Sequence, residues 1–362
     1  MRFLSFGEIL LRLSPPGAAG LLQALPGTLE AGFGGSEANT AVALAALGAP
    51  SSFLTLLPQG PLGDACLASL TGRGVKVDQV VRTDRGRLGI YFLEKGAGPR
   101  PSRVVYDREG SALALASPGD LEWNSALEEA QWLHLSGITP ALSRGAAELT
   151  REGAEKARAA GIPYSIDLNY RARLWRWEEG TGPEALARSV LPPIARGAAL
   201  VAGNEEDALR IFGLTVKGLD LSRGRLDPAA YAGLAEETAA RCPGARFVAF
   251  SLRRSLDASR NLWGGMLFDV ETGKAHYHPR DEEGNFAPLE IAPMVDRVGA
   301  GDAFTAGLLF GLFHERTLPA RALALAVAAG ALAHTYPGDW LLSGLEEVDA
   351  LARGETSGRI RR

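Results

Sequence analysis

Asp296-Arg297-Val298-Gly299-Ala300-Gly301-Asp302-Ala303-Phe304-Thr305-Ala306-Gly307 is the stretch on which the fold turns. Two glycines flank an alanine, an aspartate follows, and an apolar run to Phe313 reads as a helix. Glycine permits backbone angles and close approaches that other residues hinder. A helix entered this way points several unpaired N–H groups, and the positive end of its dipole, at whatever lies in front. That is an anion site, with Asp302 in the first turn beside it. A carboxylate able to take a proton, next to a bound anion, predicts phosphoryl transfer to a hydroxyl. A tight turn capped by aspartate is the plainer alternative, and four residues alone leave both open.

A second glycine-led helix start lies near the N-terminus, Gly32-Phe33-Gly34-Gly35-Ser36-Glu37-Ala38-Asn39, followed by 40–47 and Gly48. Ser36 is expected as the N-cap and Gly48 as the residue just past the end. The paired glycines let a ligand approach the backbone, and Asn39, one turn in, can reach a hydroxyl. Residues 53–57 read as a strand, and 63–74 as a helix after Pro61. Segments 88–94 and 103–106, separated by glycines and prolines, predict a hairpin. With residues near 9–13 and 28–33 it is expected to form a small sheet covering a site.

Beyond residue 130 the alternation is regular. Strands are expected at 132–135, 164–167, 200–201 and 247–252, and helices at 143–160, 183–195 and 205–212. Asp227-Pro228 supplies a cap and first residue for a helix to about 241. This pattern argues an α/β fold with a mostly parallel sheet and helices on both faces. The segments after the strands are polar: Ser136-Gly137-Ile138, Asp167-Leu168-Asn169-Tyr170-Arg171, Gly203-Asn204-Glu205-Glu206-Asp207 and Leu252-Arg253-Arg254. In a parallel sheet they share one edge, where such sheets bind ligands. Gly299 to Asp302 is expected at the same edge.

Bulk properties narrow the class. The chain has 362 residues, 46% hydrophobic and 22% charged, with a net charge of −4. That composition is ordinary for a globular protein, and the charge argues against nucleic acid or an anionic membrane as partner. Cys66 and Cys242 are far apart and form no zinc spacing. Sparse cysteine and a start interrupted by Glu8 and Arg12 fit a cytoplasmic protein without a signal peptide. The apolar run 322–333 is too short for a membrane span and reads as a buried helix. His276 and His278 alternate on a strand-like segment without an evident third metal ligand.

Gly34-Gly35-Ser36-Glu37-Ala38-Asn39-Thr40-Ala41 and Asp296 to Asp302 resemble the two signatures of the PfkB (ribokinase-like) carbohydrate kinases, in the right order near opposite ends. The resemblance runs from Gly7 to about Leu351. Val105-Tyr106-Asp107-Arg108-Glu109-Gly110-Ser111-Ala112, His134-Leu135-Ser136-Gly137-Ile138-Thr139-Pro140 and Asp167 to Trp175 look like the 2-keto-3-deoxygluconate (KDG) kinase branch, as do Pro337-Gly338-Asp339 and Ser357-Gly358-Arg359. The resemblance implies a ribokinase-like three-layer sandwich, one domain over 1–362, with a β-lid from about 9–33 and 88–108.

It also implies roles. Asp302 would be the general base, with Gly299, Ala300 and Gly301 forming the anion hole. Gly34, Gly35 and Asn39 would hold sugar hydroxyls, Tyr91, Tyr106 and Ile138 would line the sugar, and Arg108 and Arg171 would bind a carboxylate. An acidic sugar needs such a cation, and arginine offers a bidentate fork. ATP would contact Asn204, Ser251, Arg253, Gly299 and Gly301. His334, ending the helix expected to border the adenine, would line that site or serve in the core or as a cap. Arg253 to Ser259 replaces the glycine-rich turn of many relatives, so this loop is expected to shape the nucleotide site differently. Mg²⁺ is implied by ATP chemistry, and the family's Asn-x-x-Glu pattern ends here in the shorter Asp207, which would reach a metal through water or be a solvated acid at the helix start. A monovalent cation and a homo-oligomer joined through the lids are further expectations. A fructokinase-like enzyme is the same-class alternative, and a non-catalytic sugar-binding regulator the different-class one. A dinucleotide-binding dehydrogenase fails, because no strand leads into G-x-G-x-x-G.

Overall fold

The fold is taken from a computed structural model, which describes residues 1–215 and 228–355. The central sheet runs, in spatial order, Lys274–His278, Arg260–Asp269, Phe247–Asp257, Leu200–Gly203, Tyr164–Asp167, Trp132–Ser136, Phe3–Phe6, Ser51–Leu54 and Val75–Lys76. From Phe247–Asp257 to Val75–Lys76 every neighbouring pair is parallel. The first three strands are antiparallel to one another, and Leu289–Ile291 pairs with Arg260–Asp269 off this path. Parallel strands buried on both faces should be continuously apolar, and Phe3–Phe6, Trp132–Ser136 and Tyr164–Asp167 are buried at every position.

The two largest apolar clusters pack on the sheet. One gathers Leu133, Leu135, Ile166, Trp175 and Leu191 with the helices Arg144–Ala159 and Pro183–Ala195. The other packs the helices Ala300–Leu309 and Pro319–Ala333 against Phe247, Trp263 and Leu267. The alanine-rich run is thus a buried helix, and among the described residues no helix is long and apolar enough to cross a membrane.

The expected lid is present as a separate four-stranded sheet: Glu30–Gly34, Leu10–Ser14, Gly89–Glu94 and Arg103–Asp107. The last two form the antiparallel hairpin, with Tyr91 opposite Tyr106.

Several local expectations need correction. Residues 53–57 are not one strand: Ser51–Leu54 joins the central sheet, while Leu56–Pro58 pairs with Val81–Thr83 in a separate ribbon. The switch falls at Thr55, whose carbonyl accepts from Val81 N–H. Arg253 to Asp257 is not a loop, because its strand runs on to Asp257 and pairs with Arg260–Asp269. The Asp257 carboxylate accepts from Ser259 N–H at 2.8 Å and closes that turn. Ser36 is the first helical residue rather than the cap; Gly35 holds the cap position at φ 148°. The expected cap at Asp227 and the Ser357-Gly358-Arg359 motif lie outside the described residues.

Candidate active site

The four strand ends, the lid and the Gly299 turn enclose a cavity of about 660 Å³. Gly299 caps the helix Ala300–Leu309 in the left-handed region, at φ 84°. A Cβ there would sit 1.9 Å from the carbonyl oxygen of Asp339, so only glycine fits. Gly301 is the opposite case. Its absent Cβ would meet nothing within 4 Å, because the residue faces the open cavity. The first N–H groups of this helix therefore border the open cavity, the setting in which helix starts bind anions.

Asp302 is buried, third in the helix, and held on both oxygens. Ser36 Oγ donates to Oδ1 at 2.8 Å, and Asn39 Nδ2 donates to Oδ2 at 2.7 Å. Asn169 donates to Ser36 Oγ at 2.8 Å and extends the chain of bonds to the 164–167 strand end. Burial pushes the Asp302 carboxyl up to about 6, against the pull of the Asn39 and Ser36 bonds. The group is thus mostly ionised at neutral pH, yet close enough to it to accept a proton. Asn39, expected to contact the sugar, lines the cavity; its Nδ2 is given to Asp302, and its buried Oδ1 has no partner among the described residues.

The lid contributes Tyr91, Tyr106 and Arg108, all on the cavity wall. Tyr91 is buried and donates its hydroxyl to Asp339. Its ring centroid lies 6.4 Å from that of Tyr106, and the Arg108 guanidinium lies over the Tyr106 ring. Arg108 is buried against Glu8: Nε donates to Oε2 at 2.6 Å, and Nη2 closes the ion pair at 2.5 Å. Arg171 lines the cavity too, but stays exposed, with only a bond from Nη1 to the Tyr170 carbonyl at 2.9 Å. The two arginines expected to bind a carboxylate thus differ: Arg108 already has an acid, and Arg171 has none among the described residues. Gly35 and Ile138 line the cavity, whereas Gly34 lies behind Asp339, whose Oδ2 would be 2.0 Å from a Cβ there.

Asn204, Ser251 and Arg253 reach the same cavity. Asn204 caps the helix Glu205–Phe212 by accepting from Asp207 N–H at 2.9 Å. Asp207 returns a bond to Asn204 N–H and accepts from Tyr170 N–H at 3.0 Å, so both carboxylate oxygens serve backbone groups. It is buried rather than solvated. Among the described residues no three His, Cys, Asp or Glu side chains gather as a metal cage. At the turn, Asp296 is taken by Arg12 and by the N–H groups of Arg297, Val298 and Gly338. With both oxygens of Asp207 engaged by backbone N–H groups, a metal would meet this acid through water.

His334 does not line this cavity. It ends the helix Pro319–Ala333, is fully buried, and its Nδ1 lies 2.7 Å from the Gly330 carbonyl. Burial pushes it down to about 4, and it serves as a neutral core and cap residue.

Four functional side chains were not singled out from the sequence. Ser36 and Asn169 orient Asp302. Asp167, pushed up to about 8 by burial and then by the charges of Asp302 and Asp207, lines the cavity. Asp339 joins Tyr91 and Arg12 at the cavity wall, its Oδ1 accepting from Arg12 at 2.7 Å. Ser36, Asp167 and Asn169 lay inside stretches already marked by their position after a strand. Asp339 had no such signal beyond its Pro-Gly-Asp setting.

The cavity at the sheet edge thus lies between the small sheet and a helix N-terminus bearing a buried carboxylate. The chain belongs to the pfkB family of carbohydrate kinases, whose model matches residues 2–227 and 272–342. A 2-dehydro-3-deoxygalactonokinase of Haloferax volcanii is 31% identical over 355 residues, covering 98% of this chain and 97% of the relative. A 2-dehydro-3-deoxygluconokinase of Thermoproteus tenax is 30% identical over 310 residues, covering 84% of this chain and 80% of the relative. The solved 2-dehydro-3-deoxygluconokinase of Thermotoga maritima superposes with a TM-score of 0.87 at 38% identity, covering 98% of this chain and all of the other.

Proposed function

We propose that the protein transfers the γ-phosphoryl group of ATP to the C6 hydroxyl of 2-keto-3-deoxy-D-gluconate. The observation that carries this is Asp302, fixed by Ser36 and Asn39 at a helix N-terminus that opens onto the cavity. Asp302 takes the hydroxyl proton as that oxygen attacks the γ-phosphorus, and the bond to the β-phosphate oxygen breaks. The N–H groups of Ala300, Gly301 and Asp302 face the charge on the transferring group. Positioning and electrostatics carry most of the rate in such transfers. Mg²⁺ bound to the phosphates would neutralise their oxygens.

The sugar carboxylate is read by arginine. Arg171 makes no ion pair among the described residues, while Arg108 keeps part of its fork beyond the bonds to Glu8. A neutral sugar would leave Arg171 without its anion. The likeness to gluconate-type kinases supports the same substrate class. The Haloferax relative, matched over nearly its full length, favours a second reading in which the galacto epimer is also accepted. On this reading the exposed edge strand of the lid, Arg103–Asp107, meets a second copy in a homo-oligomer.

ADP release by the purified protein, measured across KDG, 2-keto-3-deoxygalactonate, gluconate, fructose and ribose, tests the assignment. The 2-keto-3-deoxy acids are expected to turn over best. Fastest turnover on fructose or ribose would sink it.

A further inference from the structure

Arg297 sits inside the glycine–aspartate motif, two residues before the cap glycine. It lines the main cavity and also a neighbouring one of about 470 Å³, between the lid tip at Gly98 to Pro101 and the turn at Ser255 to Ala258. Its Nε is buried with no hydrogen-bond partner. Its Nη2 has one long bond, 3.4 Å to the Ala258 carbonyl. Asp296, the adjacent acid, is committed to Arg12. Among the described residues, neither Arg297 nor Arg253 nor Arg171 makes an ion pair, yet all three line one cavity.

A half-buried arginine without a counter-ion is costly unless something anionic arrives. Crowding by protein, and then the charges of Arg297 and Arg171, pushes Arg253 below its usual value, against the pull of Glu205 and Asp207. A ligand with several negative charges relieves both. The helix N-terminus beside them adds N–H donors aimed at the same space. Arginine presents planar paired donors that match phosphate oxygens.

We propose that Arg297, together with Arg253, grips the phosphate chain of the nucleotide from the lid side, beside the helix N-terminus. This rests on the kinase reading of the cavity and adds to it a phosphate-binding residue from within the motif. Two arginines then do what backbone N–H groups of a glycine-rich turn do elsewhere, which accounts for a strand running on through Arg253 in place of a loop.

Calorimetric titration of wild type, Arg297→Gln and Arg297→Lys with Mg²⁺-ATP, Mg²⁺-ADP, AMP and KDG tests this. Arg297→Gln is expected to weaken ATP about tenfold or more, the loss of one charge-assisted bidentate contact. AMP and KDG should bind as in wild type, and Arg297→Lys should recover part of the ATP affinity. Unchanged ATP affinity in Arg297→Gln, or equal weakening of ATP and AMP, overturns the proposal. If the glutamine variant does not fold, the lysine variant decides alone: ATP weakened with AMP intact supports the grip, and ATP unchanged overturns it. Wild-type protein that binds no adenine nucleotide overturns the kinase reading itself, and with it this inference.

Discussion

Arg108 of the lid and Glu8 of the first strand's loop form a buried ion pair, 2.5 Å between Nη2 and Oε2. The arginine expected to meet the substrate's carboxylate therefore already holds a carboxylate. Removing one partner of a buried pair leaves an uncompensated charge and costs about 3–5 kcal/mol. Glu8→Gln should lower stability by that order, read as a drop in the urea midpoint. Arg171→Gln touches no such pair. It should leave the midpoint near wild type and raise KM for the sugar acid about tenfold, with KM for ATP unchanged.

The bonds from Ser36 and Asn39 both pull the Asp302 carboxyl down, while burial pushes it up to about 6. The base works only when ionised, so kcat/KM should fall as pH drops through about 6. Asn39→Ala removes one of the lowering bonds. Its acid limb should move to higher pH, and at neutral pH its rate should fall. An Asn39→Ala profile superimposable on wild type would show that the bond does not set the base.

Gly299 and Gly301 differ in what a methyl group would meet. At Gly299 it would strike the Asp339 carbonyl at φ 84°, so Gly299→Ala should cost a few kcal/mol of stability, about 1–3 from backbone strain before the clash. At Gly301 it would enter the cavity. Gly301→Ala should melt like wild type and lose about 10²-fold in kcat, because the methyl occupies the space facing the anion-hole donors. Thermal melts beside initial rates separate the two.

Arg12, Asp339, Asp296 and Tyr91 make a buried clasp between the lid and the Gly299 turn. Burial holds the Asp339 carboxyl above its usual range, against the pull of Arg12 and the Tyr91 hydroxyl. Arg12→Gln leaves two buried acids facing each other and should cost about 3–5 kcal/mol in chemical denaturation.

The layers were legible in the sequence because their signals are local. Parallel strands showed as short apolar runs, and the expected bounds of the strand Tyr164–Asp167 and the helices Pro183–Ala195 and Glu205–Phe212 match those observed. Asp302 was legible because glycine spacing and its acid sit together. The polar bonds were not. Asn39 reads equally as a sugar ligand or a partner of Asp302, since 263 residues of chain separate the two and only folding brings them to 2.7 Å. Arg108 and Glu8 are 100 residues apart, and Arg12 and Asp339 are 327 apart. The charged run from Arg253 resembles a loop in sequence because here the strand extends past its neighbour Leu200–Gly203 and is exposed from Arg253 to Leu256.

The most direct measurement is single-turnover phosphorylation of KDG by Asp302→Asn, with KDG binding measured in parallel. A general base contributes about 10²–10⁴-fold, so the variant should lose at least about 10²-fold in rate while binding KDG with near wild-type affinity. Turnover within a few-fold of wild type would contradict the assignment of Asp302 as the base.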